Sequence, residues 1–264
     1  MKLALWQSVP ADGRIDQVFS AICQQLQAAA TAGARLLVTP ELILPGYNRP
    51  DLHRTLAQPL DGEWITRLAA AARKAGCGLC LGWAERDGDA VYNAATIIGP
   101  NGQILSHYRK IQLFGAMEDA SFARGKDLTP VIALAGQQIS TLICYDIEFP
   151  GHAAALAMEG ARLILVPTAN PAGYEHVQRV LVPARAYETG AVVAYANYFG
   201  TEGDLTYGGL SIIAGPDGQP LAMAGARGEA LLIVDLAAAG AVSDQGRAAL
   251  HGEYRPAGSG KTTP

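Results

Sequence analysis

Cysteine is scarce in this chain: four thiols in 264 residues, Cys23, Cys77, Cys80 and Cys144. That excludes a disulfide framework and fits a reducing compartment. Charge is scarce too, at 17% of residues with a net of −4. No basic stripe is available to neutralise phosphates, which excludes nucleic acid as the main partner. No apolar run is long enough to span a membrane, and residues 1–10 lack the basic, apolar and small-residue order of a secretory leader. We therefore expect a soluble, cytoplasmic protein without membrane or nucleic-acid partners. Metal-ligand spacing is missing as well. Cys77-Gly78-Leu79-Cys80 is a lone C-x-x-C, and zinc would need two further ligands. It reads as a buried strand with two small apolar thiols. Near the end, Gly260-Lys261-Thr262 is like the close of a phosphate loop. Arg255 stands where that loop needs Gly, and no strand precedes it, so nucleotide binding is rejected. The expectation is no metal and no cofactor.

Half of the chain is apolar, enough for a sizeable core. Ile15, Val18, Phe19, Ile22 and Leu26 recur at helical spacing, so a helix is expected over Ile15–Thr31, stopped by Gly33. Trp64, Ile65, Leu68 and Ala72 predict a second over Trp64–Ala75, and shorter helices are expected over His152–Met158 and Glu175–Thr189. Pro183 falls inside the last, which predicts a kink or a late start. Two segments of the first half recur in order in the second. Gly33-Ala34-Arg35-Leu36-Leu37-Val38-Thr39-Pro40 is matched by Gly160-Ala161-Arg162-Leu163-Ile164-Leu165-Val166-Pro167. Ile97-Ile98-Gly99-Pro100-Asn101-Gly102-Gln103 is matched by Ile212-Ile213-Ala214-Gly215-Pro216-Asp217-Gly218-Gln219. Asn-Gly and Asp-Gly are strong hairpin turns. Each half then reads as helix, strand, helix and hairpin. The expected fold is α/β, two similar layers packed sheet to sheet with helices outside. Residues 1–236 would form this domain, and 237–264 a tail, mobile or packed on a second subunit.

Three reactive side chains stand where apolar segments end. Cys144 follows Ile139 to Ile143, Glu41 follows Leu36-Leu37-Val38-Thr39-Pro40, and Lys110 follows Tyr108-Arg109 after a hairpin. Strand ends are where α/β chains present side chains to a crevice. A carboxylate, an ammonium and a thiol suffice for thiol-based acyl transfer. Taken singly, each has a blander reading: a packed inert thiol, a capping carboxylate, a surface lysine. A Cys-His pair is the rival arrangement, with His152 and His176 as candidates, but neither follows a strand as a paired base usually does.

Three motifs in order make the chain resemble the nitrilase superfamily of carbon–nitrogen hydrolases, in its aliphatic-amidase-like branch. They are Thr39-Pro40-Glu41-Leu42-Ile43-Leu44-Pro45-Gly46-Tyr47, Tyr108-Arg109-Lys110-Ile111-Gln112-Leu113-Phe114-Gly115, and Cys144-Tyr145-Asp146-Ile147-Glu148-Phe149-Pro150. The resemblance implies a four-layer α-β-β-α sandwich, a Glu41-Lys110-Cys144 triad, and a homodimer or higher homo-oligomer. It implies a second acid at Glu118, with Asp119 as rival because Arg124 replaces a family Pro. Gly151 and Ala154 stand where the family often has Glu and Arg. Tyr47, Tyr145, Asn170 and Asn197 are expected to line a substrate pocket. Arg185 and Glu188 resemble a family pair, as much a structural salt bridge as a substrate contact. The implied reaction is hydrolysis of a small amide to carboxylate and ammonia through a Cys thioester. Tyr145-Asp146 in place of Trp-Glu favours amide over nitrile. N-carbamoyl hydrolysis, acyl transfer to an amine and a non-catalytic binding role are the alternatives.

Overall fold

The computed structural model describes residues 1–239. From residue 240 onward the expected tail, with Gly260-Lys261-Thr262, lies outside the described residues. The first half runs β1 (Lys2–Gln7), α1 (Ile15–Thr31), β2 (Ala34–Val38), α2 (Pro50–Leu56), α3 (Glu63–Ala75), β3 (Gly78–Asp87), β4 (Ala90–Ile98), β5 (Ile104–Arg109) and α4 (Gly115–Ser121). The second runs β6 (Ile132–Leu134), β7 (Gln137–Thr141), a 3-10 turn (Cys144–Glu148), α5 (Pro150–Met158), β8 (Leu163–Pro167), a π turn (Val177–Leu181), α6 (Val182–Thr189), β9 (Val192–Ala196), a hairpin of β10 (Phe199–Glu202) and β11 (Leu205–Gly208), β12 (Ile212–Ala214), β13 (Pro220–Met223) and β14 (Ala230–Asp235).

Two six-stranded sheets result, ordered β14-β1-β2-β3-β4-β5 and β13-β12-β9-β8-β7-β6. The repeat seen in the sequence is a repeat of topology. β1-β2-β3 are parallel and continue antiparallel into β4 and β5; β7-β8-β9 are parallel and continue antiparallel into β12 and β13.

Side-chain alternation sets the layers. Leu3, Leu5, Leu36, Val38 and Cys80 meet Leu163, Leu165, Ala194 and Ile213 between the sheets. The neighbours on the other face, Ala4, Trp6, Leu37, Leu79 and Leu81, pack with Phe19, Ile22 and Leu26 of α1 and Leu68 of α3. On the far side Ile164, Val166 and Val193 pack with Leu156 of α5 and Ala186 of α6. The order is helix, sheet, sheet, helix, as expected. Cys77 and Cys80 fall in different layers, Cys77 on the helix side and Cys80 between the sheets, so the pair does not face one site.

One expectation is corrected in its detail. The helix expected over Glu175–Thr189 is a π turn joined to α6, with Pro183 in the first turn of α6. Proline has no N–H to donate and crowds the carbonyl four residues back, and a wider turn just before it relieves both. Two short helices, α2 and α4, were not expected; at seven residues each they carry too little apolar periodicity to show.

Candidate active site

Strand β2 of one sheet and β8 of the other lead into segments that meet where the two halves join. There the Glu41 backbone N–H donates to the Thr168 carbonyl at 3.2 Å. The turn at Glu41 lies directly on β3: a Cβ on Gly82 would stand 2.8 Å from the Glu41 Cα and 2.9 Å from the Leu42 nitrogen. Only glycine permits that approach. Leu42 then takes a left-handed φ of 48°, which turns the chain away and leaves Glu41 pointing inward.

Lys110 follows β5 and is fully buried, as are Glu41 and Glu118. Its Nζ donates to Glu41 Oε1 at 2.6 Å and to Glu118 Oε1 at 2.7 Å. Glu118, on α4, also accepts from the Tyr47 hydroxyl at 2.8 Å and, on Oε2, from the Phe114 N–H at 3.1 Å. Asp119, the rival acid, is exposed and pairs with Arg124 at 2.6 Å. Of the two, Glu118 is the one beside Lys110. Asn93, on β4, donates to Glu41 Oε1 at 2.7 Å, while Oε2 has no partner among the described residues. An ammonium carries three N–H bonds. The two carboxylates take two, which leaves Lys110, among the described residues, one free donor and Glu41 one free oxygen.

Cys144 sits at the break between β7 and the 3-10 turn, with a left-handed φ of 45° and 8% of its surface exposed. A non-glycine residue held there is strained, and surrounding contacts must enforce it. Asp146 does so. Its carboxylate accepts from the Ile143 N–H at 3.0 Å, the Tyr108 hydroxyl at 2.8 Å and the Gln112 N–H at 2.8 Å. One side chain thus ties the thiol's turn to the segment carrying Lys110. Arg185 closes the other end, donating to the Ile147 and Glu148 carbonyls at 3.1 and 3.2 Å while pairing with Glu188 at 2.8 Å. The Arg185–Glu188 pair is therefore a structural anchor of this turn.

Burial pushes the Glu41 carboxyl up to about 7; Lys110 pulls it down and Glu118 adds to the rise. For Lys110, burial alone would weaken the ammonium, but Glu118 and Glu41 outweigh it and hold its pKa above the ordinary value. Burial also pushes the Cys144 thiol up, Glu41 adds to that, and Lys110 opposes it. The thiol thus rests protonated beside a carboxylate whose pKa is near neutral.

The other expected pocket residues divide. Tyr47 is buried against Glu118. Tyr145 is half-buried, its ring edge-on to Phe114 at 5.2 Å and to Phe149 at 5.0 Å. Asn170 donates to the Tyr174 carbonyl at 3.0 Å and to Gln178 Oε1 at 2.9 Å. Asn197 is committed to backbone: Oδ1 accepts from the Asn170 N–H at 2.8 Å, and Nδ2 donates to the Asn170 and Gly209 carbonyls at 3.2 and 2.9 Å. Its geometry is that of a clamp on the Asn170 loop. Asn93 was missed in the sequence; its signal was a lone amide in the apolar strand Ala90–Ile98. Tyr198, which donates to the Glu41 carbonyl at 2.8 Å, gave no comparable signal. Three histidines are engaged elsewhere: His53 with the Gly46 carbonyl, His107 with Glu85, and His152 with Gln112.

A family model described as carbon–nitrogen hydrolase matches residues 2–244. The chain belongs to that family. It is similar to a hydrolase from Pseudomonas protegens, 43% identical over 235 residues, which cover 88% of this chain and 81% of that protein. It is also similar to an (R)-stereoselective amidase from a Pseudomonas species, 34% identical over 239 residues, covering 89% and 85%. Among solved structures it resembles a mutant of the amidase from Nesterenkonia sp. AN1, with a TM-score of 0.84 at 36% identity, covering 89% of this chain and 90% of that one. That structure shows covalent addition of the acetamide moiety of fluoroacetamide at the active-site cysteine.

Proposed function

We propose that the protein is a thiol amidohydrolase that cleaves the C–N bond of small aliphatic amides, giving a carboxylate and ammonia. The observation that carries this reading is the pair of vacancies in the buried network: one free donor on Lys110 and one free oxygen on Glu41. Glu41 takes the proton from the Cys144 thiol as sulfur attacks the amide carbon. Because the thiol's pKa is raised, proton removal accompanies attack. The carbonyl oxygen becomes an oxyanion, held by the third Lys110 N–H and the backbone N–H of Tyr145; each such donor is worth about 3 kcal/mol. Glu41 returns the proton to the departing nitrogen, the C–N bond breaks, and ammonia leaves a thioester on Cys144. Water, deprotonated by Glu41, attacks the thioester; the C–S bond breaks and the proton returns to sulfur. Glu118 holds Lys110 and, with Tyr47, forms the wall against which the amide nitrogen or the water is oriented.

The same family resemblance supports a homodimer or higher homo-oligomer, which sedimentation would test. Residues 1–236 are read as the hydrolase domain. No helix among the described residues is long and apolar enough to cross a membrane. A cytoplasmic location rests on the thiol chemistry and sparse cysteine. The decisive experiment is ammonia release from a panel of small amides, nitriles and N-carbamoyl amines, with Cys144→Ala beside the intact protein. Amide-dependent ammonia that disappears in Cys144→Ala is expected. Release from nitriles or carbamoyl compounds alone would overturn the amide reading.

A further inference from the structure

Glu202 ends β10 and is almost fully buried, at 1% exposure. Among the described residues no cation pairs with it. Its carboxylate is ringed by neutral donors instead. Oε1 accepts from the Asp12 N–H at 3.1 Å; Oε2 accepts from the Asn48 N–H at 2.7 Å and from the Tyr207 hydroxyl at 2.7 Å. The Glu202 backbone carbonyl accepts from Asn48 Nδ2 at 2.8 Å. A buried charge without a counter-ion is costly unless fixed donors satisfy it, and charge-assisted hydrogen bonds are the strong kind. The loop after Glu41 is shaped around this anion. Gly46 has a φ of 131°, and a Cβ there would run into Glu202 Oε1.

Two routes lead from Glu202 to the reacting groups. Asn48 directly follows Tyr47, whose hydroxyl donates to Glu118, which in turn holds Lys110. Tyr207 sets its ring edge-on to Tyr47 at 6.4 Å and packs on Tyr198 at 5.0 Å, and Tyr198 donates to the Glu41 carbonyl. The hairpin that carries Glu202 belongs to the second half of the chain, and the loop it holds belongs to the first.

We infer that Glu202 is a positioning residue for amide hydrolysis. Its carboxylate locks the loop of residues 42–48, and through Tyr47 it keeps the Glu118–Lys110–Glu41 chain in register with Cys144. Only the choice of an amide assay rests on the function proposed above.

Glu202→Gln keeps the shape but places an NH2 where an oxygen accepted from N–H groups. The test compares kcat, KM and the pH profile for this variant, Tyr47→Phe, the double variant and Tyr207→Phe, with melting temperatures recorded alongside. We expect kcat to fall about tenfold or more in Glu202→Gln, as misplacement away from the chemistry does, with a smaller rise in KM. Lys110 would hold Glu41 less firmly, so the acid limb of the profile should move to higher pH. The double variant should be no worse than the more impaired single variant, because both act on one chain of contacts. Tyr207→Phe should show the same signs, more weakly. A lower melting temperature with kcat and the acid limb unchanged would overturn the inference, as would fully additive effects. If Glu202→Gln does not fold, an unchanged kcat and acid limb in Tyr207→Phe would overturn it alone. If the intact protein hydrolyses no amide, the proposed function fails separately. The inference is then read from the rate of Cys144 alkylation by iodoacetamide, followed on the Cys144 peptide: slowing in Glu202→Gln supports it, and an unchanged rate overturns it.

Discussion

Glu41 accepts two donors on one oxygen and, among the described residues, none on the other, and its burial sets how the site responds to pH. In the proposed mechanism the carboxylate must be ionised to take the Cys144 proton, and burial raises its pKa to about 7. Activity should therefore fall as pH drops below about 7 and rise above it; a kcat/KM profile with a small amide checks this. Asn93→Ala removes a donor to the ionised form, so the limb should shift upward by about one pH unit, the equivalent of about 1.4 kcal/mol. At the neighbouring acids, Glu118→Gln should lower kcat by at least about tenfold, while Asp119→Asn, at an exposed pair, should leave it nearly unchanged. Cys144, Glu41 and Lys110 stood out because each ends an apolar segment and lies in one of three motifs in family order; the segments meet in the structure, with Lys110 bonded to Glu41. Asp119 could be set aside only once its partner Arg124 was seen at the surface. Asn197 was read as a pocket residue because an asparagine after a buried strand looks available; only coordinates show all its polar atoms on backbone.

At the scale of elements, one close contact between a strand and a turn is set by a glycine. Gly82 on β3 lies against the backbone of Glu41. Gly82→Ala should push the turn outward, destabilise the protein by about 1–3 kcal/mol as overpacking does, and cost more in kcat than in stability; parallel melting and turnover measurements separate the two. Nothing in the sequence marked this glycine, since its role comes from residues some forty positions earlier. Long amphipathic elements were legible: α1 matches its expected bounds and α3 begins one residue early. The junction at Pro183 was legible as a disturbance but not as a π turn, because proline dictates which hydrogen bond is lost and not how the chain absorbs the loss.

Over the whole molecule, the paired sheets share one apolar layer, and the strand ends that lead to Glu41 and Thr168 leave from it. Leu165→Ala, in the middle of that layer, should cost about 2–5 kcal/mol and lower the melting temperature without altering the acid limb; thermal melts and the pH profile together check both parts. The layering was legible because apolar segments repeat in order, whereas the register between sheets was not, since it depends on side chains from opposite halves. The first and last of the described strands lie next to each other: β1 pairs along its length with β14, and the Leu236 N–H donates to the Met1 carbonyl at 2.9 Å. Sequence order and spatial order are thereby uncoupled at that edge. A circular permutant linked from Leu236 back to Met1, and opened at the β3–β4 turn beside Gly88, would keep every described strand pairing and lose only that hairpin's covalent link, so the proposed site should form from either chain order.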